Sequence, residues 1–355
     1  MPSFRGGGAE RVMITLAHGF AAHGVAADIV VAQQEGPNLP PPVEGTRIVN
    51  LGAHRVLASL AGLARYLRDE TPDAMLSALP HANVVSVWAR SISRTTTRLV
   101  LSEHTVASLS AANARLLRAR FLPVFMRRTY RTADAVVAVS DGVADDLAAL
   151  TGIDRSSITR IYNPVVTPRL AQLAEERLEH SWFSAGQPPV VLGVGRLTPA
   201  KDFRTLVRAF AVVRERRPVR LLILGEGEER QRLEALVRTV GIGADVSLPG
   251  FVDNPYRYMK QASVFVLSSR WEGFGNVLVE AMACGTPIVS TDCDGPREIL
   301  QGGRHGKLTA IGDPSALARA IEIQLDEPSN STVIERAQAF TVDAALDEYR
   351  AVLAI

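Results

Sequence analysis

In the stretch RWEGFGNVLVEAMACGTP, two carboxylates with seven residues between them, Glu272 and Glu280, flank a glycine-containing turn. The preceding run SVFVLSS has the β-branched and aromatic composition of a strand. This places Glu272 at the strand end, Gly273–Asn276 in a turn, and the start of a helix near Asn276. Backbone N–H groups of Phe274, Gly275, Asn276 and Val277 then point beyond the strand end, where a helix N-terminus suits a phosphate or a sugar oxygen. Glu280 falls on the second turn of an otherwise apolar, small-residue helix, where a carboxylate is costly without partners. Two partners are open to it: the vicinal hydroxyls of a ribose, or a neighbouring arginine.

Three further stretches carry chemistry-bearing residues. In GVGRLTPAKDF, Gly193 and Gly195 permit a tight turn, and Arg196 and Lys201 flank a helix start. Two cations and a helix dipole acting on one anion would hold a diphosphate; a solvated Arg and Lys beside a turn is the alternative. His104, in SEHT, follows a strand and neighbours Glu103, whereas His18 and His23 fit surface or packing positions on a helix. The chain also opens with MPSFRGGGAERV. Such a glycine turn normally joins a strand to a phosphate-binding helix, yet only five residues precede it.

The elements that must position these residues alternate short β-branched runs with helical patterns, which points to parallel sheets with crossover helices. Strand candidates in the first half are ADIVVAQ, DAMLSAL, TRLVLSE, DAVVAVS and ITRIYN; those in the second are PVVLGVG, VRLLILG, ADVSLPG, SVFVLSS and PIVSTD. NLPPPVEG reads as a stiff loop. The expected fold is α/β, with two Rossmann-like doubly wound domains in sequence: residues 1–165, a proline-marked connector at 166–188, and residues 189–341. The last helix, 342–355, can pack on either domain. Ligands in open α/β sheets bind outside the carboxyl ends of the strands, so two such domains facing one another make a cleft.

A chain of 355 residues with 47% hydrophobic content can bury two ordinary cores. Cys284 and Cys293 offer neither a disulfide framework nor a zinc spacing and are expected as reduced thiols. No apolar run reaches the roughly 18 residues of a spanning helix, and a net charge of +2 does not imply nucleic-acid binding. Residues 1–163 contain 17 Arg against 13 Asp and Glu. Six of those arginines, Arg115, Arg118, Arg120, Arg127, Arg128 and Arg131, lie in RLLRARFLPVFMRRTYR, interleaved with apolar residues and free of acids, with Pro123 as a bend. That segment is either a solvated helix face or a patch for anionic lipid.

Competing nucleotide and metal motifs fail on spacing. A dinucleotide fingerprint from Gly6 and Gly8 meets Arg11, and one from Gly193 and Gly195 meets Thr198. GGRHGK lacks the P-loop spacing and its Ser/Thr. DCD at 292–294 is similar to a metal motif of a different transferase architecture.

Taken in order, GGGAERV, GRLTPAKDF, LGEGEER, LPGFVDN, the Glu272/Glu280 pair and DGPREIL resemble the retaining GT-B glycosyltransferases of family 4. The resemblance covers nearly the whole chain. It implies an acceptor on the first domain and a nucleotide-sugar donor on the second, with no metal, no other cofactor and no nucleic acid. By that resemblance Arg196 and Lys201 neutralise the donor diphosphate, Glu280 binds the ribose hydroxyls and Glu272 contacts the transferred sugar. Phe274, Gly275, Asn276 and Val277 line sugar and phosphate, Phe251 and Gly225–Gly227 border the base, Gly7 and Gly8 belong to the donor site, and His104 faces the donor sugar. A UDP-hexose or UDP-N-acetylhexosamine and a polyprenyl-linked or polysaccharide acceptor are the expected substrates, since TDCDGPREIL most resembles bacterial surface-polysaccharide members. The expected location is cytoplasmic, at the inner face of the membrane through Arg115–Arg131. A sugar-nucleotide epimerase of the same fold and a non-catalytic nucleotide-sugar-binding protein are the rival readings. The resemblance also implies an apolar strand ahead of SFRGGGAERV, central in its sheet, so the expectation is that the first strand is missing here, either because it is encoded upstream of Met1 or because this chain is a compromised version.

Overall fold

The computed structural model describes all residues except 6, 37–38, 114–120 and 328–330. Its strands pair in parallel throughout. The chain divides into two compact units, Met1–Pro164 with Val342–Ile355, and Val165–Thr341.

The first unit contains β1 (Ala27–Val31), β2 (Thr46–Asn50), β3 (Ala74–Ala78), β4 (Arg98–Glu103), β5 (Ala135–Ala138) and β6 (Ile158–Arg160). They form two sheets, β1-β2 and β3-β4-β5-β6. The break lies between β1 and β3, and among the described residues no strand occupies it. The helix Gly8–Ala22 packs against the C-terminal helix Val342–Leu353 through Val12, Leu16, Phe20, Leu346 and Tyr349, together covering Val100 and Val137 of the larger sheet. Gly19 permits this approach, since a Cβ there would meet Leu346 at 2.8 Å. The helices Leu60–Glu70 and Pro80–Ser93 pack on each other through Leu63, Leu67, Val85 and Ala89.

The second unit is one six-stranded sheet of β7 (Val190–Val194), β8 (Arg220–Leu224), β9 (Val246–Gly250), β10 (Val264–Leu267), β11 (Ile288–Thr291) and β12 (Lys307–Thr309), in the order β12-β11-β10-β7-β8-β9. Its strands read as near-continuous apolar runs because both faces are covered. Helices Phe203–Arg216 and Pro314–Asp326 bury Leu206, Phe210, Leu317 and Ile321 against Val191, Leu221, Ile223 and Val266. The helix Asn276–Ala283 contacts β10 and β11 and packs against Ser331–Ala337.

Residues 166–188, read from the sequence as a connector, lie within the second unit. Thr167 caps the helix Pro168–Ala174 by accepting the Leu170 N–H at 3.1 Å, and Asn254 donates to the Leu173 carbonyl at 2.8 Å. The ten strand candidates are all strands, and two more were not anticipated. β2 follows directly on the proline-rich loop, and β12 is only three residues long. Both cysteines are free.

One glycine fixes the geometry of the future site. Gly225 ends β8 at φ +139, and a Cβ there would stand 2.0 Å from the Gly195 carbonyl. Gly243 has open space around it and no positive φ. Gly225→Ala is therefore expected to cost about 1–3 kcal/mol, a fall in melting temperature of roughly 2–12 °C. Gly243→Ala, measured alongside by thermal unfolding, should stay within about 2 °C of the parent.

Candidate active site

In the second unit the strand order reverses between β7 and β10, the place where open parallel sheets bind ligands. The loop after β7 brings Lys201, and the loop after β10 brings Glu272; the Lys201 Nζ donates to Glu272 Oε1 at 2.5 Å. Ser269 Oγ donates to the same oxygen at 2.6 Å. The loops are tied by their main chains as well: Arg270 N–H donates to the Ala200 carbonyl at 2.7 Å and Ser268 Oγ to the Lys201 carbonyl at 2.9 Å. Thr291 Oγ1, from the end of β11, donates to the Ser269 carbonyl at 2.6 Å. Glu272 is only 13% exposed. Oε1 is thus held twice, and Oε2 has no partner among the described residues.

β10 ends at Leu267, so Glu272 lies in the following loop, five residues past the strand end rather than at it. Gly275, at φ +110, precedes the helix Asn276–Ala283. Phe274 is buried with its ring edge-on to Phe340 at 5.5 Å, so its side chain belongs to the core and only its backbone faces outward chemistry. Gly295 supports that turn, because a Cβ there would meet the Phe274 carbonyl at 2.2 Å. Asn276 and Val277 are half-buried at the helix start.

Glu280 is buried on the second turn and accepts the Tyr256 hydroxyl at 3.3 Å. Tyr256, on the helix Tyr256–Gln261, was not singled out from sequence; the only signal for it was proximity to GFVDN. Arg196 is exposed and makes no ion pair with any described residue. Phe251, just past β9, is 63% exposed and presents an open ring. Gly225 and Gly227 have a steric role, with the Gly195 and Leu197 carbonyls filling the space a Cβ would need. In DCD, Asp292 is engaged by Arg297 Nε at 2.7 Å and Cys293 is buried.

In the first unit, β4 ends in Ser102 and Glu103 and is followed by His104, all three buried. His104 Nε2 lies 3.1 Å from Ser102 Oγ, which is itself 3.2 Å from the Tyr349 hydroxyl of the C-terminal helix. His104 Nδ1 is buried with no partner among the described residues. Burial pushes the imidazole pKa down to about 4, so His104 is neutral at physiological pH. Glu103 accepts the Tyr130 hydroxyl at 2.9 Å, the Thr105 hydroxyl at 3.0 Å and the His104 N–H at 3.1 Å. Its burial outweighs these bonds and raises its pKa to about 7. Asn83 Nδ2 completes the cluster, donating to the Tyr130 hydroxyl and to the Ser102 carbonyl, each at 3.0 Å. Tyr130 was grouped from sequence with the basic stretch, yet it is buried and positions Glu103.

Gly7 precedes the helix Gly8–Ala22, and its N–H is taken by the Glu10 carboxylate. Of the basic stretch, Arg115, Arg118 and Arg120 lie outside the described residues. Pro123 stands in the first turn of the helix Leu122–Thr129, and the segment before Phe121 lies outside the described residues. Met126 and Tyr130 anchor it, while Phe121, Val124, Phe125, Arg127 and Arg128 are exposed.

Comparison with known proteins agrees with this architecture. Residues 6–169 match the domain family described as Glycosyltransferase Family 4, and residues 175–340 match Glycosyl transferases group 1. The chain belongs to these glycosyltransferases, and its fold is GT-B. It is 29% identical to the lipopolysaccharide core biosynthesis glycosyltransferase LpsE of Rhizobium meliloti, over 98% of this chain and 96% of that one. It is 31% identical to an N-acetylgalactosamine-N,N'-diacetylbacillosaminyl-diphospho-undecaprenol 4-alpha-N-acetylgalactosaminyltransferase of Campylobacter jejuni, over 70% of this chain and 66% of that one. Among solved structures, Anabaena Alr3699/HepE in complex with UDP-glucose superposes with a TM-score of 0.79 at 22% identity, covering 100% of this chain and 98% of that one. The epimerase reading finds no support among these relatives.

The opposed pKa shifts of two neighbours at the end of β4 give a pH signature. Glu103, raised in the fold, contributes stability that is complete below its unfolded pKa near 4.5 and is lost as pH rises through 7. His104, lowered in the fold, contributes stability that is complete above 6.5 and is lost as pH falls through 4. Each is worth about 3 kcal/mol at the end of its range, and between pH 4.5 and 6.5 they offset. Denaturant unfolding across pH 4–8 should therefore show Glu103→Gln, relative to the parent, losing stability more steeply towards acid. His104→Gln should instead lose it more steeply towards neutral pH; parallel profiles would refute the assigned environments.

Proposed function

We propose that this glycosyltransferase moves a hexose or N-acetylhexosamine from a UDP-sugar to a lipid-linked or polysaccharide acceptor, with retention at the anomeric carbon. The observation that carries the reading is the Lys201–Glu272 pair, clamped by Ser269 at the point where the strand order reverses. That cluster presents a cation and a partly free carboxylate beside a helix N-terminus, which suits a diphosphate attached to a polyhydroxylated ring. The relatives named for lipopolysaccharide core and diphospho-undecaprenol substrates, and a structural neighbour holding UDP-glucose, support the substrate classes.

In this reading the second unit holds the donor. Lys201 and exposed Arg196 stabilise the charge that gathers on the departing diphosphate as the bond from anomeric carbon to phosphate oxygen breaks. The acceptor oxygen forms its bond to that carbon from the leaving-group side, and its proton passes to the departing phosphate. No carboxylate nucleophile is needed, so the spacing rule for glycosidase carboxylates does not apply to Glu272 and Glu280. Glu272 Oε2 accepts sugar hydroxyls, Glu280 with Tyr256 accepts the ribose hydroxyls, and Phe251 offers a face to the base. His104, neutral and with Nδ1 unpartnered, fits hydrogen bonding to a sugar hydroxyl rather than a cationic role.

No helix among the described residues is long and apolar enough to cross a membrane. Attachment through Phe121, Val124, Phe125, Arg127 and Arg128, an exposed apolar and basic surface on a buried anchor, would bring the enzyme to a lipid-linked acceptor at the cytoplasmic face of the membrane.

A panel of nucleotide-sugars incubated with membrane-extracted lipid acceptors tests the function. UDP release that depends on acceptor, with an unchanged anomeric configuration in the product, is the expected result; donor binding without release would leave only a binding protein. Lys201→Ala and Arg196→Ala should each lower turnover by about 10²-fold or more, the scale of losing one preorganised electrostatic group. Wild-type turnover in both would remove the diphosphate assignment. Glu280→Gln should weaken UDP binding in calorimetry. For the surface, flotation with anionic vesicles should fall as salt rises and with the double change Arg127→Glu and Arg128→Glu, because exposed charges are screened; equal binding to neutral vesicles would identify a merely solvated face.

A further inference from the structure

Alternation along β4 turns Val100 and Ser102 to one face of the larger sheet. The C-terminal helix Val342–Leu353 covers that face, with Tyr349 packed among Val12, Leu16, Val100 and Val137. Arg98 fastens the helix there, its Nε donating to the Val352 carbonyl at 2.7 Å. For filling this cluster a phenylalanine at 349 would serve as well as a tyrosine. Tyr349 is 1% exposed, so its hydroxyl is costly unless it is bonded. Its partner is Ser102 Oγ at 3.2 Å, 247 residues away in sequence.

Ser102 is held in place by its main chain, whose carbonyl accepts Asn83 Nδ2 at 3.0 Å. Its hydroxyl joins Tyr349 to His104 Nε2, which lies 3.1 Å away. Three polar side chains thus stand in a row, linked by two contacts, and none of the three has another side-chain partner among the described residues. Burial raises the Tyr349 pKa to about 12, so the phenol keeps its hydrogen, and it keeps the imidazole neutral, with one N–H and one bare nitrogen.

The direction of the row decides where the imidazole hydrogen sits. If Tyr349 donates to Ser102 and Ser102 donates to Nε2, both hydroxyl hydrogens are used and the imidazole hydrogen must be on Nδ1. The other arrangements put the hydrogen on Nε2. Each of them strands a hydroxyl hydrogen inside the buried row and leaves Nδ1, then the basic nitrogen, without a hydrogen to accept. In the first arrangement the single unused donor is on His104, just past the carboxyl end of β4, the edge of a parallel sheet at which ligands bind. A ligand oxygen can complete that bond; no ligand can reach a hydrogen beneath the C-terminal helix.

We propose that Tyr349 is a positioning residue of the transferase: acting through Ser102, it fixes His104 as the tautomer with its hydrogen on Nδ1, so that His104 meets the sugar as a hydrogen-bond donor to an oxygen. The sugar contact rests on the reading of His104 given above, whereas the tautomer does not. The ligand atom at Nδ1 must then offer a lone pair. A hydroxyl, an acylamino carbonyl or a carboxylate oxygen serves, and an ammonium group is refused. The C-terminal helix is in this account part of the site's machinery as well as a cover for the sheet.

The test labels the histidines of the full chain with the NMR-active nitrogen isotope and reads the His104 ring, its resonances assigned through their loss in His104→Gln. Hydrogen-bearing and bare ring nitrogens resonate far apart, so the tautomer is read directly. The parent should carry its hydrogen on Nδ1. Tyr349→Phe, which keeps the ring and removes only the hydroxyl, and Ser102→Ala, which removes the link, should each move hydrogen onto Nε2. With a nucleotide-sugar and acceptor that support turnover, Tyr349→Phe should lower kcat by about 2–10-fold, the scale of one hydrogen bond. In a His104→Gln background it should lower kcat no further, a non-additivity that a hydroxyl serving only the core would not show. A parent hydrogen on Nε2, a spectrum that neither variant changes, or an equal loss of kcat in both backgrounds overturns the proposal. The reading beneath it fails separately: His104→Gln at parental turnover removes the sugar contact, and the spectrum still decides the tautomer.

Discussion

The position of β7 between β8 and β10 is the constraint on which the site depends. A parallel sheet sends the carboxyl ends of all its strands to one edge, and each return to the start requires a crossover on one face. β7 leads to β8 on one side, while β10 lies on the other, so the loops that follow β7 and β10 part company and leave a crevice between them. Lys201 and Glu272 meet in that crevice. An isolated Lys or Glu there would be expensive to desolvate, and each offsets the other only because the geometry is held by hydrogen bonds from Ser268, Ser269 and Thr291. Gly225 belongs to the same arrangement, since its missing side chain lets the Gly195 carbonyl close up against β8.

Three buried or half-buried glutamates show how environment separates identical groups. Glu272 shares one oxygen with a lysine and a serine. Glu280 sits among apolar neighbours with a tyrosine hydroxyl at one oxygen. Glu103 is sealed beneath the end of β4 and receives bonds from Tyr130, Thr105 and His104, so it organises its neighbours without reaching solvent. The same side chain serves as half of an ion pair between two loops, as a polar point in an apolar helix and as an internal brace.

Most of the strands, the crossover helices and the Glu272 loop could be read from residue order, because parallel strands buried on both faces leave long apolar runs that periodicity detects. β2 escaped because prolines precede it, and β12 because three residues carry no period. Tyr130 and Tyr256 escaped for another reason: each meets its glutamate across a distance in sequence of 27 and 24 residues, and no local pattern marks such a meeting. The mis-set strand end at Glu272 has the same origin, since Ser268 and Ser269 continue the strand composition while their hydroxyls tie the loop to Lys201 and Glu272. Arg127 and Tyr130 differ by three residues and by burial, a distinction that composition of a basic stretch cannot draw.

The two units differ in how their strands pair. In the second, six strands pair without interruption; in the first, the sheet stops on either side of an apolar gap, and helix packing alone carries the load across it. The gap removes dispersion contacts from Leu16, Phe20, Leu63 and Val85 and leaves main-chain groups of β1 and β3 facing a space that apolar walls make a poor site for water. Within the larger sheet the pairing is continuous. β4 pairs with β3 on one side and β5 on the other, and the Ser102, Glu103 and His104 end is further tied to Tyr130, Asn83 and Tyr349. Those ties come from three helical segments, two of which, Pro80–Ser93 and Val342–Leu353, also line the gap through Val85 and Leu353. The surroundings of His104 are therefore built partly from the same elements that border the gap, while the entry to the helix at Gly7 and Gly8 is tied to β1 and its following residues through Met1 and Phe4.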